Sequence, residues 1–272
     1  MNRLFVAYKP AGMGSNAFLG RLKRKYGVKK AGFSGTLDPF AKGVLVIGFG
    51  SYTKLFRFLK KSPKLYRATL WLGASSPSLD TENIQEVRHI PEFEEERVRQ
   101  VLESLQGELC YTPPAFSAKK IEGRRAYELA RSGKEVSLKK VTSTIHSISL
   151  IHYCHPFVTF EAEVSEGTYI RSLGEIVAKE LGVFGCLSML ERKREGSFVY
   201  ENEKALEIKE MLAVEQNEYL GDPQDLKYGR KLALEHMKIQ KEGTYWLDMK
   251  EAIAIVTLQD GRVKYELGRI EC

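Results

Sequence analysis

Apolar and polar positions change period several times along the chain, and each change marks a new element. Leu4–Tyr8 reads as a first strand closed by Lys9-Pro10, its apolar stretch too short for a secretory leader. Over Asn16–Tyr26, Phe18, Leu19 and Leu22 are the apolar positions and Arg21, Lys23, Arg24 and Lys25 the polar ones, which predicts an amphipathic helix. Glu94–Leu105 carries the helical stripe Val98, Val101, Leu102, Leu105. Tyr169–Leu181 carries another in Ile170, Leu173, Val177 and Leu181. Thr69–Leu72 reads as a strand, and Ile145–Leu150 and Val158–Val164 alternate with a strand's period of two. Paired strands with several long connections predict an α+β fold rather than a regular βαβ array.

Two stretches depart from this pattern. Between Tyr111 and Val141 the core signal breaks at Thr112-Pro113-Pro114, and residues 117–140 hold eight basic and three acidic residues. A projecting insertion is predicted, part loop and part short helix over Arg124–Arg131. Charge alone fits a solvated surface equally well, but the pairs Lys119-Lys120 and Arg124-Arg125 favour phosphate contact. From Leu226 onward, Tyr245-Trp246-Leu247, Ala252–Leu258 and Val263–Leu267 read as short strands, with a turn at Gln259-Asp260-Gly261. About fifty residues are marginal for an independent fold, so this tail is expected to pack on the main body.

The 272 residues suffice for one large domain, or a medium one with an appendage. No apolar run is long enough for a membrane span, and the four cysteines form neither C-x-x-C pairs nor a disulfide framework, which points to a reducing cytoplasm. Cys154 between His152 and His155 offers too few converging ligands for a metal. No Walker or Gly-x-Gly-x-x-Gly motif is present, so no nucleotide cofactor is indicated.

Charge changes the picture most. The first 79 residues hold fifteen Lys and Arg and a single carboxylate, Asp38, a balance of +14 against +7 for the whole chain. Such a surface suits a polyanion. The acids gather elsewhere, at Glu92–Glu96 and over residues 201–225. Asp38-Pro39 can be an N-cap followed by proline at the first helical position, or a carboxylate reserved for chemistry in a glycine-rich, closely approachable loop. Arg171 is expected in the first turn of a helix capped by Thr168. A cation there opposes the dipole by about 0.3–1 kcal/mol, which a carboxylate partner would offset. Such a pairing lowers the acid's pKa and fixes its orientation; a simply exposed arginine is the other reading. Tyr66 is either core packing or a ring that stacks on a nucleobase.

These residues fall in a set of motifs that resembles the TruB family of tRNA pseudouridine synthases. Lys9-Pro10, Ala31–Leu45 around Gly35-Thr36-Leu37-Asp38-Pro39, Tyr66-Arg67, Leu72-Gly73 with Asp80, Ser117-Ala118-Lys119, Gly167–Leu173 and Leu181–Leu190 occur in the family's order and at compatible spacing. The resemblance spans about residues 3–200. It implies a pseudouridine synthase core, a mixed, mainly antiparallel sheet with helices and a cleft across its middle, over residues 1–222. It further implies an insertion at 112–143 that clamps RNA, and a small β-rich segment at 223–272 like a reduced PUA domain.

The implied activity is isomerisation of the T-loop uridine at position 55 of tRNA, without a metal or cofactor, by a cytoplasmic monomer. Asp38 then starts glycosidic cleavage, Arg171 orients it, and Tyr66 stacks on the uracil and is placed to take the C5 proton. Lys9, Phe33, Tyr169 and Leu190 bind the substrate nucleotide, and Lys119, Lys120, Arg124 and Arg125 grip the RNA. The chain departs from the family pattern where Phe33 replaces a histidine, where Cys186 replaces another, and where Glu191-Arg192 replaces an Arg-Arg pair. A non-catalytic RNA-binding protein on the same fold, or a synthase acting on another RNA, is the alternative.

Overall fold

The computed structural model describes residues 1–117 and 138–272, with the backbone of two short paired strands, Lys120–Ile121 and Arg124–Arg125, between them. Its organising element is an eight-stranded sheet. In chain order its strands are β1 (Arg3–Lys9), β2 (Ala31–Ser34), β3 (Lys42–Phe49), β4 (Lys64–Leu72), β5 (Gly107–Tyr111), β6 (Val141–Cys154), β7 (Phe157–Val164) and β8 (Gly185–Glu195). They lie in the order β1-β3-β8-β4-β7-β6-β5, with β2 also on β3. Only β3 and β8 pair in parallel, through Glu191↔Lys42 and Arg192↔Gly43, so the sheet is mixed and mainly antiparallel. The α+β reading holds.

The uninterrupted apolar run Val44-Leu45-Val46-Ile47 follows from cover on both faces of β3. Alternate residues of β1 and β3 (Phe5, Ala7, Leu45, Ile47) pack under Phe18 and Leu22 of α1 (Ser15–Lys25). The others (Leu4, Val6, Val44, Val46) meet Trp246, Ile253, Ile255 and Ile270 of the C-terminal segment. At about 1.5–3 kcal/mol per large apolar side chain, this two-sided burial fixes β3 at the centre of the structure. On the remaining strands, Ala68, Leu70, Val158 and Phe160 bury against α2 (Glu95–Ser104) and α3 (Ile170–Glu180).

The tail packs on the body as expected, as a four-stranded sheet of β9 (Glu215–Asn217), β10 (Gly243–Asp248), β11 (Ala252–Gln259) and β12 (Arg262–Glu271). Asp260 and Gly261, at φ 52° and 68°, make the tight turn between Gln259 and its partner Arg262.

Three local expectations change. Asp38-Pro39 opens no helix; Asp38 O accepts from Ala41 N (3.1 Å), closing a turn that leads into β3. Thr168 does not cap α3, because its Oγ1 donates to Ser165 O (2.9 Å) and Tyr169 holds the cap position. Arg124–Arg125 forms a strand rather than starting a helix; the residues after it up to 137 lie outside the described residues.

Candidate active site

Asp38 sits on the connection between β2 and β3, and buried polar groups hold that connection along its length. Ser15 Oγ donates to Leu37 O (2.9 Å) and accepts from Leu37 N (3.0 Å). Gly12 N donates to Pro39 O (2.8 Å). At the start of the loop, Arg192 donates from a terminal guanidinium nitrogen to Gly35 O (2.9 Å). Gly35 lies at φ +61°, a left-handed backbone conformation that favours glycine, and it runs close beside the ends of Lys64, Arg192 and Glu195.

Relieved of capping, the Asp38 carboxylate faces Arg171, whose Nε lies 2.9 Å from Oδ2. Arg171 stands in the first turn of α3, is 4% exposed, and uses its whole fork. It donates to Ser78 O (2.7 Å) and Phe116 O (2.8 Å) and reaches Asp80 Oδ2 at 3.4 Å. The unfavourable dipole at this helix start is thus offset by two carboxylates and two carbonyls. Asp80 is held in turn by the Ser78 hydroxyl (2.6 Å) and Glu82 N (3.0 Å).

The net electrostatic direction at Asp38 differs from the expectation of a lowered pKa. Burial pushes the carboxyl above the ordinary carboxylate range; Arg171 and Lys9 pull it down, and Asp80 adds to the rise. Two carboxylates share one guanidinium, so the pairing orients Asp38 without fully compensating its charge. Burial likewise raises the Tyr169 phenol.

A cavity of about 530 Å³ opens beside this pair, a size that accommodates a nucleotide. Asp38, Tyr66, Tyr169, Arg171 and Leu190 all line it. They arrive from the β2–β3 loop, β4, the start of α3 and β8, which places the cavity across the middle of the large sheet. Phe33 lies apart from this wall. It lines a second cavity of about 310 Å³ that shares Asp38 and Arg171 with the first and adds Asp80 and Phe116.

Lys9, expected to bind the substrate nucleotide, lies outside both linings. It is fully buried, with Nζ on Pro10 O (2.8 Å), Met13 O (2.6 Å) and Pro39 O (3.5 Å), so it braces the Asp38 loop from behind. Desolvation lowers its pKa to about 8. Of the RNA-gripping set, Lys119 lies outside the described residues, while Lys120, Arg124 and Arg125 lie on the short hairpin. In the sequence Asp80 stands out only as part of a motif. The signal for it was available, since Asp80 is the next carboxylate after Asp38 in the chain. Lys64, Arg192 and Ser117, also in the wall, carried no comparable mark. Among the described residues no cluster of metal-ligating side chains exists, and no helix is long and apolar enough to cross a membrane.

The fold is shared with solved structures at low sequence identity. The chain superposes with TM-score 0.67 and 20% identity on a chain of a Cbf5-Nop10-Gar1 complex, covering 99% of this chain and 84% of that one. It matches the archaeal box H/ACA sRNP Nop10-Cbf5 complex with TM-score 0.68 and 18% identity, covering 98% and 85%. The class of protein, an isomerase of the pseudouridine synthase kind, is shown by the family and the relatives that the sequence itself matches.

Residues 23–170 match the family described as TruB family pseudouridylate synthase (N terminal domain). The chain is 64% identical over 273 residues, 100% of both chains, to tRNA pseudouridine synthase B of Sulfurimonas denitrificans. It is 53% identical to tRNA pseudouridine synthase B of Nitratiruptor sp., covering 99% of this chain and 98% of that one. The chain belongs to the TruB family.

Proposed function

We propose that the chain converts the T-loop uridine at position 55 of tRNA to pseudouridine. The observation that carries this reading is the convergence of Asp38, Tyr66, Tyr169, Arg171 and Leu190 on one nucleotide-sized cavity, with Asp38 ion-paired at 2.9 Å to Arg171. Relatives of matching length named tRNA pseudouridine synthase B support tRNA as the substrate.

The uridine flips out of the loop into the cavity at a cost of a few kcal/mol, which basic contacts to the RNA backbone offset. Tyr66 stacks on the uracil while Leu190 closes the apolar side. Asp38, ionised and aimed by Arg171, starts cleavage of the bond between C1′ and N1. The base turns, C5 bonds to C1′, and the C5 proton leaves, with Tyr66 placed to receive it. The rearrangement is intramolecular and redox-neutral, so its balance asks for no energy carrier. In this reading residues 1–222 are the catalytic unit, 112–143 grip the T loop, 223–272 form an appended segment, and the protein acts as a cytoplasmic monomer.

The test is a map of pseudouridine in tRNA from cells lacking the gene. Position 55 is expected to remain uridine and to be converted again when the gene is restored. Full conversion in the deleted cells contradicts the assignment.

A further inference from the structure

Behind the loop that carries Asp38 lies a buried charge cluster that the reaction just described does not use. Glu195, at the end of β8 and fully buried, is shared by two cations. Lys64 Nζ stands 3.2 Å from its Oε1, and a terminal guanidinium nitrogen of Arg192 stands 3.2 Å from its Oε2. The Ser34 hydroxyl also donates to Oε1 (2.8 Å). One carboxylate therefore faces two cations, leaving one positive charge in surplus.

The two cations differ in how they are committed. Arg192 is tied to backbone, donating from Nε to Val44 O (2.8 Å) and from a terminal nitrogen to Gly35 O (2.9 Å). An ammonium has three donors, and the ion partner of Lys64 among the described residues is Glu195 alone. Lys64 also lines the 530 Å³ cavity. The other acid on that wall outside the Asp38 pair, Glu166, is ion-paired with Lys61 (2.8 Å). A surplus cation with spare donors at the wall of a nucleotide-sized cavity calls for an anionic group on the ligand.

Position supplies the rest. Lys64 and Tyr66 are two residues apart on β4, both buried in its alternating pattern, so they share one face about 7 Å apart. With Tyr66 stacked on the uracil, that spacing reaches from the base to its own sugar-phosphate. We propose that Lys64 is the phosphate contact of the flipped nucleotide, its ammonium taking a non-bridging oxygen of one phosphodiester flanking the target uridine. This rests on the pseudouridine-55 reading of the cavity.

The test uses the full chain carrying Asp38→Asn, so that binding is measured without turnover, and a synthetic T stem-loop RNA with uridine at the target position. Lys64→Met removes the surplus cation and leaves Glu195 matched one to one with Arg192, so the fold is expected to keep its melting temperature. Affinity at low salt should fall about tenfold, and the slope of log K against log salt should shrink by about 0.7–0.9. Lys64→Arg should retain both.

Each flanking phosphodiester is then replaced in turn by a neutral methylphosphonate. One of the two should cost the Lys64 protein about tenfold and the Lys64→Met protein nothing. An unchanged salt slope, unchanged affinity, or equal methylphosphonate penalties in both proteins overturns the proposal. Conversion of the same RNA by the unmodified enzyme separates this failure from failure of the functional reading. If that RNA is converted while the Lys64 results are negative, only the phosphate contact is wrong. If it is neither bound nor converted, both fall.

Discussion

At the Asp38 end of the β2–β3 loop, Arg171 holds two carboxylates, Asp38 and Asp80; at the Gly35 end, Glu195 holds two cations, Lys64 and Arg192. The clusters are mirror images in charge, yet their surroundings differ. About a third of the Asp38 side chain is exposed, whereas Glu195 is sealed from solvent. Asp38 therefore has room to meet a substrate, as the proposed reaction requires, and its charge is imperfectly compensated. Glu195 has no such opening; its carboxylate holds together the side of the loop that must not move. A buried ion cluster is poor evidence for stability in itself. Its placement on the backbone of the catalytic loop accounts for it better.

Removing the central charge of each cluster should give unlike results. Glu195→Gln leaves two buried cations without a counter-charge, and the protein should lose about 3–5 kcal/mol of stability, read as a drop in melting temperature. A melting temperature near that of the unmodified protein would show that the cluster carries little load. Arg171→Met also strands the buried Asp80 and two carbonyls and so costs stability. In addition it should lower turnover of the folded protein about a hundredfold or more, roughly 2.7 kcal/mol of barrier. Tyr66 and Leu190 stay in place for binding. A loss confined to RNA affinity would contradict the orienting role.

The pH dependence gives a finer test. In the proposed reaction Asp38 works ionised, and its pKa is raised, by burial first and with Asp80 adding to the rise. Turnover should therefore fall as pH drops through a value above the ordinary carboxylate pKa of about 3.9. Asp80→Asn removes a neighbouring negative charge, so the acid limb should move to lower pH. A shift to higher pH, or none, would break the link between the two carboxylates. The smallest effect concerns Phe33. It stands in the wall of the neighbouring cavity, so Phe33→Ala should cost several-fold in kcat/KM and Phe33→His little. Equal activity of all three would make it a packing residue only.

How much of this was legible beforehand depends on the kind of interaction. The amphipathic α1, α2 and α3 and the strands from Ile145 and Val158 were readable, because burial of one face writes its period into the sequence. The edge strand Glu215–Asn217 was not, since its pairing with Tyr245–Leu247 is backbone-only and two of its three residues are exposed. At the site, charge counting singled out Asp38, and the cost of a cation in a helix's first turn made a carboxylate partner one of two readings of Arg171. The same reasoning failed on direction. A single Asp–Arg pair lowers a pKa, but burial first and then Asp80, whose place beside Arg171 only the fold shows, reverse the outcome. For Lys9 the family resemblance implied a contact with the substrate nucleotide; only the fold shows three carbonyls converging on its ammonium behind the Asp38 loop.

The central claim is that Asp38 does the chemistry in a cavity built to bind the RNA without it. The most direct measurement compares the unmodified protein with Asp38→Asn under single turnover, scoring both tRNA binding and pseudouridine at position 55. The account predicts that Asp38→Asn keeps its melting temperature, because folding raises the pKa of Asp38 and its ionisation therefore adds no stability above that pKa. It should bind tRNA within a few-fold of the unmodified protein and form no pseudouridine. Measurable conversion by Asp38→Asn would contradict the account.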